Sequence, residues 1–166
     1  MIRVASDFND MDLKSILEIQ SECFADSLQS ENVVRKLLSS TFVYITDEKI
    51  VAYVQVARSK NLSSLFEPYT YTVGSISCIT LITNIAVVSA YRNKGIAKKL
   101  IAHVLNLAKN KLLFENANNY LGLQVREKNP AKYLYDKCGF KTIGVLLNYY
   151  KNGENAIAQI IDVNQN

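Results

Sequence analysis

The segment Ile85-Ala86-Val87-Val88-Ser89-Ala90-Tyr91-Arg92-Asn93-Lys94-Gly95-Ile96-Ala97 carries the residue types needed to grip a phosphate group. An apolar strand runs into a polar loop, and the loop runs into an amphipathic helix. At such a junction the first backbone N–H groups have no partner and the helix end is positive, so an anion is favoured there. Gly95 and Ala97 are small where a diphosphate needs close backbone approach. Arg92, Lys94, Lys98 and Lys99 add positive charge. The loop is no Walker A motif, because Lys and Ser/Thr do not follow the glycine, and it lacks the three glycines of a dinucleotide fingerprint. An ordinary strand-to-helix turn with solvated basic residues fits the same letters. The other reactive side chains are sparse. His103 lies off the apolar stripe of its helix and reads as a surface residue. Cys23, Cys78 and Cys138 have no His or Asp sequence neighbour and no metal spacing, so they read as reduced packing thiols, and no metal is expected. Asp26, Glu67 and Tyr69 fall in loops that could border a site, but nothing in the sequence places them there.

The elements that must hold these residues follow from periodicity. Ile2 to Ala5 reads as a short strand. Leu13, Ile16, Leu17 and Phe24 recur at helical spacing over Asp10–Phe24. Ser30 is placed to cap a second helix to about Leu38, with Val33, Val34, Leu37 and Leu38 inward. Phe42–Thr46 and Ile50–Ala57 form a hairpin about Asp47-Glu48-Lys49. Residues 59–78 make a long polar and aromatic connection, read as a functional loop or an extended hairpin. Ile79–Val88 is nearly all apolar, as in a strand buried on both faces. Ala97, Leu100, Ile101, Val104, Leu105 and Ala108 then mark a helix stripe. Tyr120–Val125 is a strand, Pro130 opens a short helix to about Lys137, and Gly139 ends it. Lys141–Tyr150 and Asn155–Val163 read as antiparallel strands about Asn152-Gly153.

Composition limits the function classes. A chain of 166 residues with 49% hydrophobic content reads as one domain, 1–166, with a sizeable core. The net charge of +4 is spread without a basic block, so no nucleic-acid partner is expected. No apolar run is long enough to span a bilayer, and no leader pattern opens the chain, so a cytoplasmic protein without membrane attachment is expected.

Arg92-Asn93-Lys94-Gly95-Ile96-Ala97 resembles the Arg/Gln-x-x-Gly-x-Gly/Ala loop of the GNAT acetyltransferases, which grips the coenzyme A pyrophosphate. Leu121 to Phe140 resembles the strand, Asn-containing loop, Leu-Tyr helix and Gly-Phe ending of the same superfamily. The likeness covers roughly residues 2–162, and the element order agrees. Leu147-Asn148-Tyr149-Tyr150-Lys151, followed by Asn155-Ala156-Ile157-Ala158, resembles the N-terminal (alpha-amino) acetyltransferases, such as the ribosomal-protein alanine acetyltransferase.

The resemblance implies an α+β fold, with a mixed, mostly antiparallel sheet of about seven strands flanked by about four helices. It implies acetyl-CoA as cosubstrate and direct attack by an amine in a ternary complex. Ile85, Ala86, Val87, Val88, Arg92, Asn93, Lys94, Gly95, Ile96, Ala97, Lys98, Asn129 and Tyr135 become the coenzyme contacts. A backbone N–H at Ile85 or Ala86 becomes the oxyanion donor, and Tyr135 the acid for the departing thiolate. The spacing from Asn129 to Tyr135 is one residue shorter than the family's. The positions where relatives hold a base carry Leu81 and Gln124 instead. Gln124 and Asn84 can orient a water, so a water-relayed base, or none, is expected. Tyr149 and Tyr150 become contacts for the acceptor. An α-amine titrates near 8 and a lysine near 10.4, so a site without a strong base favours α-amines. The expected acceptor is therefore a protein or peptide N-terminus. The alternatives are a small amine (polyamine, aminoglycoside or amino acid) and a non-catalytic coenzyme-binding subunit, in a monomer or homodimer.

Overall fold

A computed structural model describes residues 1–6, 10–24, 28–59, 79–114 and 120–164. The 60–78 connection, Asp26, Glu67, Tyr69 and Cys78 lie outside the described residues. Seven strands form one sheet in the order β1-β2-β3-β4-β5-β7-β6. They are β1 Ile2–Val4, β2 Thr41–Thr46, β3 Lys49–Ser59, β4 Ile79–Val87, β5 Tyr120–Arg126, β6 Lys141–Leu146 and β7 Ala156–Asp162. The α-helices are α1 Asp10–Cys23, α2 Glu31–Leu37, α3 Ile96–Lys109 and α4 Ala131–Lys137. The β4–β5 pairing is parallel, while β1–β2, β2–β3, β5–β7 and β6–β7 are antiparallel. This is the mixed, mostly antiparallel architecture expected from the sequence.

The chain divides into two compact units, Met1–Ala57 with Thr83–His103, and Arg58–Ile82 with Val104–Asn166. In the first, Leu13, Ile16 and Ile19 of α1 pack with Val34, Leu38, Val43, Tyr53 and Ala86. The expected inward face of α2 needs one correction, because Val33 is exposed while Val34 is fully buried. Two adjacent helical positions point about 100° apart, and the short helix has room to bury only one. Ser30 occupies the N-cap position, but its side chain makes no capping bond, and its carbonyl accepts from Val33 and Val34. The Asp47-Glu48 turn takes left-handed φ values of 50° and 59°, which suits a tight hairpin between β2 and β3. His103 is partly buried rather than a surface residue, since its ring meets Phe42 edge-on at 5.2 Å. Burial holds its imidazole below the usual histidine range.

The first unit is tied at its start by an ion pair. Asp12, 2% exposed, accepts from Arg3 Nη1 and Nη2 at 2.5 and 2.8 Å and from the Ser6 N–H at 2.8 Å. The Arg3 guanidinium holds the Asp12 carboxyl below the usual aspartate range. A depressed folded-state pKa contributes stability above the unfolded value, and that contribution is lost as pH falls through the folded value. Asp12→Ala should therefore cost about 2–3 kcal/mol at pH 7, moderated because Arg3 still reaches water. Urea unfolding should show the gap between wild type and variant shrinking below pH 3. An equal gap at both pH values would remove the ion pair as its cause.

In the second unit, Ile79 and Leu81 pack with Ala158 and Ile160, joined by Tyr120, Ile143 and Leu146. Burial on both faces holds for Ile79–Ile82 only, since Thr83 is exposed and Asn84 and Ile85 are half-buried. β4 pairs with β5 over Thr80–Ile82 and Leu121–Leu123, although it runs on to Val87. The last hairpin also differs from expectation. β6 stops at Leu146 and β7 begins at Ala156, so Tyr149 and Tyr150 lie in the connection rather than in a strand. Asn148 breaks the strand with a φ of 51°, a conformation that Asn tolerates better than most residues. The Asn152-Gly153 turn is present, with Gly153 at φ 80° donating to the Tyr150 carbonyl at 2.8 Å.

Candidate active site

The strand-to-helix loop of the first unit is built by local backbone chemistry. After β4, a single 3-10 turn spans Ser89–Tyr91, and Arg92–Gly95 leads into α3. Asn93 and Gly95 both adopt left-handed φ, 60° and 75°. The first bond into the α3 ladder runs from the Lys99 N–H to the Gly95 carbonyl at 3.0 Å, so the amides of Ile96, Ala97 and Lys98 precede the ladder. A Cβ built on Gly95 would meet nothing within 4 Å, so the space beside its Cα is open. Arg92, Asn93, Lys94 and Lys98 are exposed, while Ile96 is buried and anchors the helix start.

The sequence alone does not show how this corner is held. Arg92 Nε donates to the Val87 carbonyl at 3.0 Å, and its Nη2 lies 3.5 Å from Cys23 Sγ. Glu22 Oε1 accepts the Ser89 N–H at 2.6 Å, and this bond holds the Glu22 carboxyl below its usual range. The Val88 N–H donates to the Val51 carbonyl at 2.9 Å. Lys94 Nζ sits 4.9 Å from the centroid of the Tyr91 ring. Thus α1 and β3 brace the loop from behind, and Arg92 acts partly as a brace. Ile85 and Val87 are half-buried and Ala86 is buried. Asn84 Nδ2 donates to Gln55 Oε1 at 3.4 Å, and Gln55 Nε2 in turn donates to Thr41 Oγ1 at 3.2 Å. Asn84 therefore ends a polar chain that starts inside the first unit.

The second unit holds both Tyr135 and Tyr150. Tyr135 is 6% exposed, while its neighbour Tyr133 is exposed, as helical phase requires. Its ring meets Phe140 edge-on at 6.0 Å. Its carbonyl accepts from the Phe140 N–H at 3.1 Å, and Gly139 at φ 94° turns the chain there. The next residue, Asp136, accepts from Gln159 Nε2 of β7 at 2.6 Å, which pins α4 to the sheet. Burial, then the nearby Tyr150, then Cys138 push the Tyr135 phenol well above the usual tyrosine range. Asn129 Oδ1 accepts the Ala131 N–H at 2.9 Å and so caps α4.

On β5, Gly122, Gln124 and Arg126 share one face, opposite Ile160, Ala158 and Ala156. Gln124 Nε2 is buried without a hydrogen-bond partner among the described residues. An unpaired buried amide costs about 1–3 kcal/mol, a cost that an acceptor atom at this donor would relieve. Leu81 is buried within the apolar cluster and offers no proton acceptor. Tyr149 and Tyr150 pack edge-on at 5.1 Å, and burial raises both phenols. Arg126 lies over the Tyr150 ring at 4.2 Å and binds Glu154 at 2.5 Å. The reading of the sequence missed these two residues. Arg126 was reachable as the same-face neighbour of Gln124, but nothing in the local sequence pairs it with Glu154.

Residues 38–142 match the family described as acetyltransferase (GNAT) domain. An N-alpha-acetyltransferase of Saccharolobus solfataricus is 34% identical over 117 residues, covering 69% of this chain and 64% of that protein. The ribosomal protein bS18-alanine N-acetyltransferase of Haemophilus influenzae is 36% identical over 67 residues, covering 40% of this chain and 42% of that protein. The chain thus spans less than two thirds of the length of these relatives. Arabidopsis thaliana NAA60 in complex with acetyl-CoA shares the fold, with a TM-score of 0.77, 98% of each chain covered and 19% identity. Among the described residues no helix is long and apolar enough to cross a membrane. On its seven-stranded fold, its strand–loop–helix corner and the family match across residues 38–142, this chain belongs to the GNAT acetyltransferase family.

Proposed function

We propose that residues 1–166 form one catalytic domain that transfers acetyl from acetyl-CoA to the α-amine of a protein or peptide N-terminus. The observation that carries this reading is the place of Tyr150, half-buried in the β6–β7 connection rather than in a strand, with its ring edge-on to Tyr149 at 5.1 Å. The names of the Saccharolobus and Haemophilus relatives support transfer to N-termini, and the NAA60 complex supports acetyl-CoA.

Acetyl-CoA supplies the acetyl group as a thioester. The open space at Gly95 and the amides of Ile96, Ala97 and Lys98 suit its diphosphate, with Arg92, Asn93, Lys94 and Lys98 around them. The neighbouring stretch Ile85–Val88 and Asn129 are the remaining coenzyme contacts. The N–H of Ile85 or Ala86 steadies the carbonyl oxygen as the amine nitrogen bonds to the acetyl carbon. As the carbon–sulfur bond breaks, the Tyr135 hydroxyl gives its proton to the sulfur. The amine gives up its proton to a water, or directly to solvent, without a side-chain base.

Without a side-chain base, the rate depends on amine already free. At neutral pH that is about a tenth or more of α-amines and well under one in a thousand lysines. At subsaturating peptide, the log of the rate should climb with pH at a slope near one and level off about pH 8. A peptide with a free N-terminus should outperform the same peptide blocked there but carrying an internal lysine. Tyr149→Ala and Tyr150→Ala should raise KM for the peptide more than for acetyl-CoA. Preference for the blocked lysine peptide, or for a small amine with no response to either substitution, would discard this acceptor.

A further inference from the structure

In the connection between β6 and β7, Leu147 is exposed and Tyr149 is only partly covered, by the edge of Tyr150. The shape of this connection is held by polar bonds to the end of β5. Arg126 Nη1 binds Glu154 Oε2 at 2.5 Å, with both side chains about three-quarters buried. The same guanidinium lies 4.2 Å from the centroid of the Tyr150 ring. Next along the chain, Asn155 Nδ2 donates to Glu127 Oε2 at 3.0 Å, while Asn155 Oδ1 accepts the Asn148 N–H at 3.0 Å. The Tyr150 N–H donates to the Glu154 carbonyl at 3.0 Å. Tyr150 is therefore gripped at its backbone by the turn and at its ring face by a guanidinium whose direction Glu154 fixes.

We propose that Arg126 is a positioning residue for the acceptor, its guanidinium held by Glu154 so that it fixes the plane of the Tyr150 ring. This rests on Tyr150 contacting the acceptor, as proposed above. Arg suits the task because its planar fork can bind a carboxylate through one edge and lie on an aromatic ring through its face. Lysine keeps the charge toward Glu154 but has no plane to lay on the ring. Arg126 bonds to Glu154 and lies over the Tyr150 ring, so its effect should pass through the acceptor rather than through the coenzyme.

The test is a double-mutant cycle by steady-state kinetics on the full chain, with a free N-terminal peptide as acceptor and thermal melting to follow the fold. Arg126→Met should raise peptide KM about tenfold, the size expected when a charge-assisted contact is lost, with KM for acetyl-CoA unchanged. Arg126→Lys should recover only part of that loss. In a Tyr150→Ala background, Arg126→Met should add almost nothing, because the two residues act as a unit. If Arg126→Met raises peptide KM by the same factor with and without Tyr150, the positioning role is overturned and the acceptor reading stands. If Tyr150→Ala alone leaves peptide KM unchanged, the acceptor reading falls and the positioning role falls with it. Should Arg126→Met fail to fold, Arg126→Lys and Glu154→Gln complete the same cycle, each expected to lose its effect once Tyr150 is removed.

Discussion

Tyr135→Phe should lower kcat about a hundredfold or more while leaving acetyl-CoA affinity nearly unchanged. The phenol is 6% exposed, and its burial beside Tyr150 holds its pKa well above the usual tyrosine range. A group with a pKa so raised keeps its proton throughout the working range and can only give it up as negative charge develops next to it. In the proposed mechanism the departing thiolate is such a charge, so the hydroxyl would act in the transition state far more than in the ground state. Phenylalanine keeps the edge-on contact with Phe140 and removes only the oxygen. The pH profile gives a second readout. Because Tyr135 stays protonated, the wild-type rate should show the ascending limb of the amine and no descending limb up to about pH 10. Single-turnover kinetics, where chemistry is rate-limiting, is the proper measurement. Near-normal turnover in the variant would move the acid role elsewhere.

Gly95→Glu should abolish acetyl-CoA binding in a protein that still folds. Two costs must be separated. The first is backbone strain, because φ at Gly95 is 75°, where a side chain costs about 1–3 kcal/mol. No clash adds to it, since a Cβ there meets nothing within 4 Å. A carboxylate at the start of α3 also gains a little from the helix dipole, which offsets part of the strain. The second cost arises only with ligand, because the new carboxylate lies where a diphosphate would meet the amides of Ile96–Lys98. Gly95→Ala carries the strain without the charge and should bind with a much smaller loss. Calorimetric titration with circular dichroism on both variants checks the pair. Unchanged affinity in folded Gly95→Glu would sink the loop assignment.

The sequence by itself determined the elements whose cause is local. The stripe from Leu100 to Val104 made α3, Gly139 ended α4, Asp47-Glu48 turned β2 into β3, and the apolar run at Ile79 made a buried strand. The loop Arg92–Ala97 was legible too, because left-handed glycine and exposed lysines are written directly in the chain. Tertiary structure alone decided features set by distant residues. Strand propensity carried Tyr149 and Tyr150 into β6, yet bonds from Asn155, Glu127 and Glu154 hold that stretch outside it. His103 is off its helix stripe but meets Phe42 of β2. Val33 and Val34 have equal hydrophobicity, and only packing chose between them. Arg126 found Glu154 across 28 positions of sequence. Backbone periodicity is fixed by neighbours within a turn of helix or a pleat of strand. Which carboxylate a guanidinium meets, and which ring it covers, depends on segments brought together only after the sheet has closed its register.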